Sequence, residues 1–203
     1  MPGPGCGVQA MRELLARIVG DLTELNARHA VVGGHAVSAR TEPRFTRDLD
    51  LAVSVTDDRQ AETLVGALAA RGYRIVALIE QEATGRLATV RLEHPSAPGT
   101  LIDLLFATAG VEPEVVEGAS ELQVVATLTV PVASVGHLLA MKTLSADATR
   151  RPQDRIDIAA LLGVATAADL LVAREVLALI TTRGCNRDRN LLAMFTEWQA
   201  EVQ

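Results

Sequence analysis

The sequence predicts an α/β fold in which a mixed-sheet core is followed by a C-terminal bundle of helices. Up to about residue 133, short runs rich in Val, Leu and Ile alternate with segments of helical periodicity. After Ser134 only helical periodicity remains. The 203 residues suffice for one large domain or two small ones. We predict an α/β core over residues 1–133 and a helical domain over residues 134–203.

Local patterns justify the elements in chain order. Apolar residues at helical spacing predict an amphipathic first helix over about residues 8–28. Two further helices are predicted in the first part, over residues 35–40 and 56–71. Strand-like runs predict strands over residues 30–32, 48–53, 73–79, 86–92, 100–106 and 124–132, and Pro131 places the last of these near a sheet edge. Four helices are predicted in the second part, over residues 135–144, 154–162, 167–180 and 189–202.

Composition excludes several classes of protein. Aromatic residues make up 2% of the chain, too few for a platform that stacks single-stranded bases, and a net charge of −6 argues against nonspecific coating of nucleic acid. Cys6 and Cys185 form no metal motif or disulfide framework, which fits a reducing compartment. We find no signal peptide and no apolar run long enough to span a membrane, and we expect a cytoplasmic protein.

Two aspartates in an apolar segment are the most informative feature. Asp48 and Asp50 are two residues apart on a predicted strand, so they project from the same face, while Leu49 and Leu51 face the other side. Paired carboxylates repel each other unless a cation lies between them, and hard divalent cations bind carboxylate oxygens. The pattern indicates a metal site; the alternative is a pair of surface carboxylates.

A third carboxylate, Asp103, interrupts the very apolar predicted strand over residues 100–106. If this strand neighbours the Asp48–Asp50 strand, Asp103 completes a cluster that holds two metal ions. The alternatives are a charge at a strand end and a partner for a buried arginine.

Gly33 and Gly34 lie between a predicted strand and a predicted helix. Glycines at such a position let the backbone approach a phosphate, and the helix N-terminus adds free amides. The alternative is a tight turn that requires positive φ.

Lys142 is the only lysine among 19 basic residues. A compact ammonium suits a phosphate oxygen in a narrow site, where a planar guanidinium fits less well. Asp154 and Asp157 share one face of the next predicted helix, so a salt bridge between the two helices is the alternative role. Five arginines of the second part form either a solvated face or a basic rim for RNA, namely Arg150, Arg151, Arg183, Arg187 and Arg189.

These motifs together resemble a known superfamily. Gly33-Gly34, the segment from Arg44 to Leu51 (RFTRDLDL) and the later Asp103 resemble the DNA polymerase β-like nucleotidyltransferases. Downstream, LLAMK ending at Lys142 and RPQDRIDIAALL over residues 151–162 resemble the AbiEii/MenT-type nucleotidyltransferase toxins of bacterial toxin–antitoxin systems. The resemblance covers about residues 28–163.

The resemblance implies a Mg²⁺-dependent transfer of a nucleoside monophosphate from an NTP to an RNA acceptor, which in such toxins can be the 3′ end of tRNA, so that translation is blocked. It also implies a nucleotidyltransferase core with a C-terminal helical bundle and a cognate antitoxin protein as partner. By position, Asp48 and Asp50 hold the metals and Asp103 corresponds to the third carboxylate. Lys142 grips the triphosphate, Asp157 orients Lys142 or a substrate, and the phosphates meet Gly33, Gly34, Thr46 and Arg47.

One position departs from the family pattern. Many of these proteins carry a lysine immediately before the glycine pair, where this chain has Val32. Phosphate contact then has to come from amides, from Arg40 or from Arg47, or is absent at this position. Two other functions stay open: an antibiotic nucleotidyltransferase that modifies a small drug, and a catalytically weak module that binds a nucleotide or an antitoxin.

Overall fold

The computed structural model describes residues 4–44, 46–124, 128–147 and 152–202. Its centre is one seven-stranded sheet in the order β3-β4-β5-β2-β1-β7-β6. The strands are β1 (His29–Val32), β2 (Leu49–Val53), β3 (Arg74–Glu80), β4 (Leu87–Glu93), β5 (Leu101–Leu105), β6 (Ser120–Gln123) and β7 (Thr129–Val132). The pairs β2–β5 and β1–β7 are parallel and the other pairs are antiparallel, so the sheet is mixed, as predicted.

Eight helices surround this sheet in the described part of the chain. They are α1 (Pro4–Glu24), α2 (Gly33–Arg40), α3 (Asp58–Ala70), α4 (Glu112–Glu117), α5 (Val135–Ser145), α6 (Pro152–Val164), α7 (Ala167–Thr182) and α8 (Leu191–Val202). Within the described ranges, none of these helices has the length and apolar character that a membrane crossing needs.

The sheet centre is buried because its strands carry aliphatic side chains on both faces. All four residues of β1 are buried, and Leu49 and Leu51 of β2 have no exposed surface. The buried apolar residues form one continuous cluster that runs from α1 through the sheet to Phe195 of α8. The division of the chain at residue 133 into two domains stays a prediction.

Two elements in the middle of the chain were not predicted. Helix α4 has only six residues, too few to show a helical period, and β6 reads Ser-Glu-Leu-Gln with no strand signal of its own. The strand predicted over residues 124–132 begins only at Thr129, and residues 125–127 lie outside the described residues. Strand β7 is next to the edge, and the polar strand β6 forms the edge itself.

The four helices of the second part lie close to their predicted bounds. Ser134 caps α5 by accepting a hydrogen bond from the backbone N–H of His137, and Thr166 forms a capping box with Asp169 at α7. Arg150 and Arg151, predicted as a loop and possible RNA contact, lie outside the described residues.

Candidate active site

Parallel pairing of β2 with β5 aligns two of the predicted acidic residues. Asp50 is the register partner of Asp103, so these carboxylates lie on adjacent strands at the sheet centre. Asp48 directly precedes the first residue of β2, whereas the prediction includes it in the strand. Asp50 is partly exposed between the buried side chains of Leu49 and Leu51, which is the alternation the sequence predicts.

The glycine pair brings the start of α2 against β2. Gly33 has φ +61°, and a Cβ atom added there would lie 2.6 Å from Cγ of Asp50. A Cβ atom at Gly34 would lie 2.8 Å from Oγ1 of Thr46 and 2.9 Å from Nη2 of Arg44. A side chain at either position collides with a residue of the Arg44–Asp50 segment, so both glycines serve close approach.

Lys142 reaches the same region from α5, where two aspartates hold it. Its Nζ lies 2.7 Å from Oδ1 of Asp154 and 2.8 Å from Oδ2 of Asp157, both on α6. The side chains of Asp154 and Asp157 are 6% and 1% exposed, and Ser145 donates a hydrogen bond to Asp154. The predicted interhelical salt bridge therefore exists, and it fixes the ammonium group at the site.

Arg44 connects this cluster to the glycines. Its Nη2 lies 2.8 Å from Oδ2 of Asp157. Burial alone raises the pKa of Asp157, but hydrogen bonds from Lys142, Gln153 and Arg44 outweigh burial, so the net pKa lies below its usual value. Asp157 is therefore an ionised carboxylate between two cations, and its role in orienting Lys142 or a substrate for the reaction stays a prediction.

Arg91 of β4 occupies the other side of the acidic cluster. Its guanidinium donates from Nε to Oδ1 of Asp103 over 2.8 Å and from Nη2 to Oδ2 over 2.7 Å. The hydrogen bonding to Asp103, together with the negative charges of Asp48 and Asp50, raises the pKa of Arg91. Asp103 has the arginine partner that the sequence allowed as an alternative, and its role as a third metal ligand stays a prediction.

One cavity of about 310 Å³ unites most of these residues. Gly33, Asp50, Asp103 and Lys142 line it together with residues outside the predicted site, among them Val32, Thr89, Arg91, Thr108, Ser145 and Arg187. Asp157, Gly34 and Thr46 are not among the described residues that line the cavity. Asp157 pairs with the lining residue Lys142, and Gly34, which follows Gly33, packs against Thr46. Arg47 is exposed ahead of β2.

Arg40 has a different role from the one considered for it. Its guanidinium donates to the carbonyl oxygens of Val132 and Ala133 and to Oγ of Ser120. These contacts tie the C-terminal end of α2 to β6 and β7, so the suggestion that Arg40 replaces the missing lysine as a phosphate contact is wrong.

His35 lies beside the site on α2 and is 8% exposed. Burial, and then the positive charge of Arg44, lower the pKa of His35 from 6.5 to about 4. The imidazole is therefore neutral at pH 7, and its Nε2 has no hydrogen-bond partner within the described residues.

The donor chemistry fits a divalent metal at Asp48 and Asp50. Mg²⁺ is commonly held by one or two carboxylates together with substrate phosphates and water, so two aspartates suffice. Within the described ranges, no group of three His, Cys, Asp or Glu side chains is arranged to hold an ion alone. A metal here would take the rest of its ligands from water and substrate phosphates.

Three contributors were not predicted as site residues. Arg44 is the first residue of the RFTRDLD segment that contains Asp48 and Asp50, and this position could have indicated a role in the site. Asp154 was weighed as a structural partner only. Arg91 has no local signal, because its role follows from the register of β4 with β5.

The sequence matches a known family along nearly its whole length. A model of the family described as "Nucleotidyl transferase AbiEii toxin, Type IV TA system" matches residues 14–200. The chain belongs to this family. It is therefore a nucleotidyltransferase of the toxin–antitoxin type, as the sequence predicts. No curated protein sequence gives a significant match.

Solved structures share the fold at low identity. ANT(2″)-Ia in complex with adenylyl-2″-tobramycin superposes with TM-score 0.57 at 17% identity, over 86% of this chain and 98% of that chain. An antigenic nucleotidyltransferase-like protein from Paracoccidioides brasiliensis gives TM-score 0.54 at 18% identity, over 93% of each chain. The lincosamide antibiotic adenylyltransferase LnuA, bound to lincomycin, gives TM-score 0.50 at 17% identity, over 74% of this chain and 96% of that chain. These likenesses support a nucleotidyltransferase core with C-terminal helices.

Proposed function

We propose that this AbiEii-family enzyme transfers a nucleoside monophosphate from an NTP to the 3′ end of tRNA, with Mg²⁺, and thereby blocks translation. We further propose that it acts in the cytoplasm and that a cognate antitoxin protein restrains it. One observation supports the chemistry above all: Asp50 of the sheet and Lys142 of the helical part line the same cavity.

In this proposal the positively charged groups and the backbone amides bind the triphosphate, and two carboxylates position Lys142. Lys142, Gly33 and the start of α2 offer positive charge and backbone amides to the triphosphate. Asp154 and Asp157 hold the Lys142 ammonium in place before substrate arrives, so little ordering is required on binding. Arg47 and Thr46 stand on the segment that leads into the acidic pair, where they contact the outer phosphates.

Asp48 and Asp50 would hold the metal, which supplies neutralisation of charge on the phosphates when it is bound. The acceptor hydroxyl gives up its proton to solvent as its oxygen bonds to the α-phosphorus, and the bond from that phosphorus to the bridging oxygen breaks, so pyrophosphate leaves. Lys142 stabilises the charge that accumulates on the departing oxygens.

The direct experiment offers each α-³²P-labelled NTP to the purified chain with total tRNA and Mg²⁺. We expect label on tRNA with the wild type and none with Asp50→Ala. Arg155→Ala is the control, since Arg155 lies on α6 and, among the described residues, pairs only with exposed Glu201. An Asp50→Ala variant that labels tRNA as fast as the wild type would overturn the proposal.

A second candidate is transfer to a hydroxyl of a small cationic drug. The net charge of −6 favours a small cationic acceptor over RNA. Among the fold neighbours, LnuA is described as a lincosamide antibiotic adenylyltransferase, and ANT(2″)-Ia is in complex with adenylyl-2″-tobramycin. Aminoglycosides and lincosamides in the same labelling assay distinguish this candidate, because label would move to the drug and not to tRNA. NTP binding without transfer to either acceptor would instead support a nucleotide-binding module, in line with Val32 at the missing lysine.

A further inference from the structure

Three cationic side chains line the cavity in the described part of the chain, and two of them are already paired with carboxylates. Lys142 is held by Asp154 and Asp157, and Arg91 is held by Asp103. The third, Arg187, is exposed on the loop between α7 and α8, and no described group lies within hydrogen-bond or ion-pair distance of its guanidinium. Its charge is therefore available to a ligand.

The backbone at Arg187 is unusual for an arginine. The N–H of Arg189 donates to the carbonyl oxygen of Asn186 over 3.1 Å, and the two residues between them, Arg187 and Asp188, have φ of 54° and 55°. Positive φ at both central residues is the pattern of a type I′ turn, in which Gly, Asn and Asp dominate. Asp188 fits that preference and Arg187 does not, so turn chemistry does not explain the arginine.

The loop is anchored on the far side of the turn. The Arg189 guanidinium donates to the carbonyl oxygens of Leu144 and Ala146 at the end of α5, and the Asn186 side chain donates to the Arg189 carbonyl oxygen. Since α5 also carries Lys142, the position of Arg187 is fixed relative to the lysine. Strained backbone that the surrounding structure enforces is typical of residues placed for binding.

The neighbouring arginines have structural roles instead. Arg183 pairs with Glu114 and donates to the Gly110 carbonyl oxygen, and Arg189 forms the anchor described above. Arg183, Arg187 and Arg189 all belong to the predicted basic rim. Among these three, only the Arg187 guanidinium has no hydrogen-bond or ion-pair partner in the described part of the chain.

We propose that Arg187 binds a phosphate group of a substrate in this cavity and supplies the charge that Val32 does not. A guanidinium donates two parallel hydrogen bonds to phosphate oxygens, which suits either the triphosphate of the NTP or the backbone of an RNA acceptor. The inference rests on the proposed function, because both sources of phosphate are its substrates.

The test uses Arg187→Asn, because asparagine suits a left-handed turn position and lacks the charge. We expect the thermal midpoint to stay the same or rise, while affinity for phosphate falls about ten- to a hundredfold, the loss expected for hydrogen bonds to a charged group. Arg183→Asn removes the same charge from the same loop and should leave phosphate affinity unchanged.

Two measurements identify the source of the phosphate. Calorimetric titration with a non-hydrolysable NTP analogue and Mg²⁺ reports on the triphosphate, and the KM for tRNA at saturating NTP reports on the acceptor. A loss in either measurement supports the proposal and assigns the phosphate. Equal values for Arg187→Asn and the wild type in both measurements, or an equal loss in Arg183→Asn, would overturn it.

The two proposals fail separately. A wild-type chain that binds the analogue but labels no tRNA contradicts the proposed function, while the titration still decides the role of Arg187. A wild-type chain that binds neither the analogue nor tRNA overturns both.

Discussion

Asp50 lies against Gly33 so closely that a methyl group on Gly33 would approach Cγ of the aspartate to 2.6 Å. The two residues come from β2 and from the start of α2, and the absence of a Cβ atom at Gly33 is what lets the acidic strand and this helix share one cavity wall.

Gly33→Ala is therefore expected to abolish nucleotidyl transfer, because the methyl group displaces Asp50 and the φ of +61° disfavours any side chain. Transfer rates and thermal unfolding should be measured together. Gly66→Ala is the control: outside the local backbone of α3, no described atom lies within 4 Å of the Cβ position, so stability should rise by about 0.5–1 kcal/mol with unchanged activity. Normal transfer by Gly33→Ala would contradict the close approach.

Lys142→Met should remove activity and lower the free energy of unfolding by about 3 kcal/mol, because two buried carboxylates lose their shared cation. Urea unfolding measures the loss. Adding Asp154→Asn should restore part of the stability and none of the activity. Arg155→Met, which breaks an exposed ion pair between α6 and α8, should cost less than about 1 kcal/mol. A Lys142→Met variant as stable as the wild type would show that the buried pairs do not stabilise the fold.

Asp50→Asn and Asp103→Asn should differ in metal binding. Electron paramagnetic resonance of Mn²⁺ in the presence of an NTP analogue measures binding without turnover. We expect Asp50→Asn to weaken Mn²⁺ binding by at least about tenfold, since even outer-shell partners of a metal have such effects. We expect Asp103→Asn to retain most of the binding, because Arg91 already engages both oxygens of Asp103. Equal losses in the two variants would make Asp103 the third ligand.

His35 makes stability depend on pH. Its pKa is about 4 in the folded protein and near 6.5 in the unfolded chain, so the unfolded chain takes up the proton first as the pH falls. The contribution of His35 is complete above pH 6.5 and is lost progressively down to about pH 4. Urea unfolding at pH 7 and pH 5 should differ by about 2 kcal/mol from this residue.

Burial also lowers the pKa of His29 and His137, so these two histidines also make the folded protein less stable as the pH falls. His35→Asn should remove only the His35 part of the difference. An unchanged slope in that variant would show that His35 is not the group responsible.

Local patterns in the sequence predicted most elements and the acidic half of the site, because strand alternation places Asp50 opposite Leu49 and Leu51 without any knowledge of the fold. The same logic placed Asp154 and Asp157 on one helix face. The prediction that Lys142 and Asp50 belong to one site came from the family resemblance. No local pattern could give it, because the spacing of residues does not show which helix packs on which sheet.

What the sequence did not predict depends on long-range contacts. Arg91 acts through the pairing of β4 with β5, and Arg40 binds the carbonyl oxygen of Val132 in β7, which is 92 residues away along the chain. Short elements such as α4 and β6 owe their structure to neighbours and show no period of their own.

The single lysine has a consequence for how this protein can be controlled in a cell. Any acylation, tagging or cross-linking reaction that targets lysine side chains has one candidate along these 203 residues, and it is Lys142, whose side chain is 14% exposed between two aspartates. Such a reaction would have to open the ion pairs first, and a bound nucleotide would shield the amine further. The same property gives the biochemist a reporter, because the fall in the labelling rate of Lys142 when a nucleotide is added measures how much of the cavity is occupied.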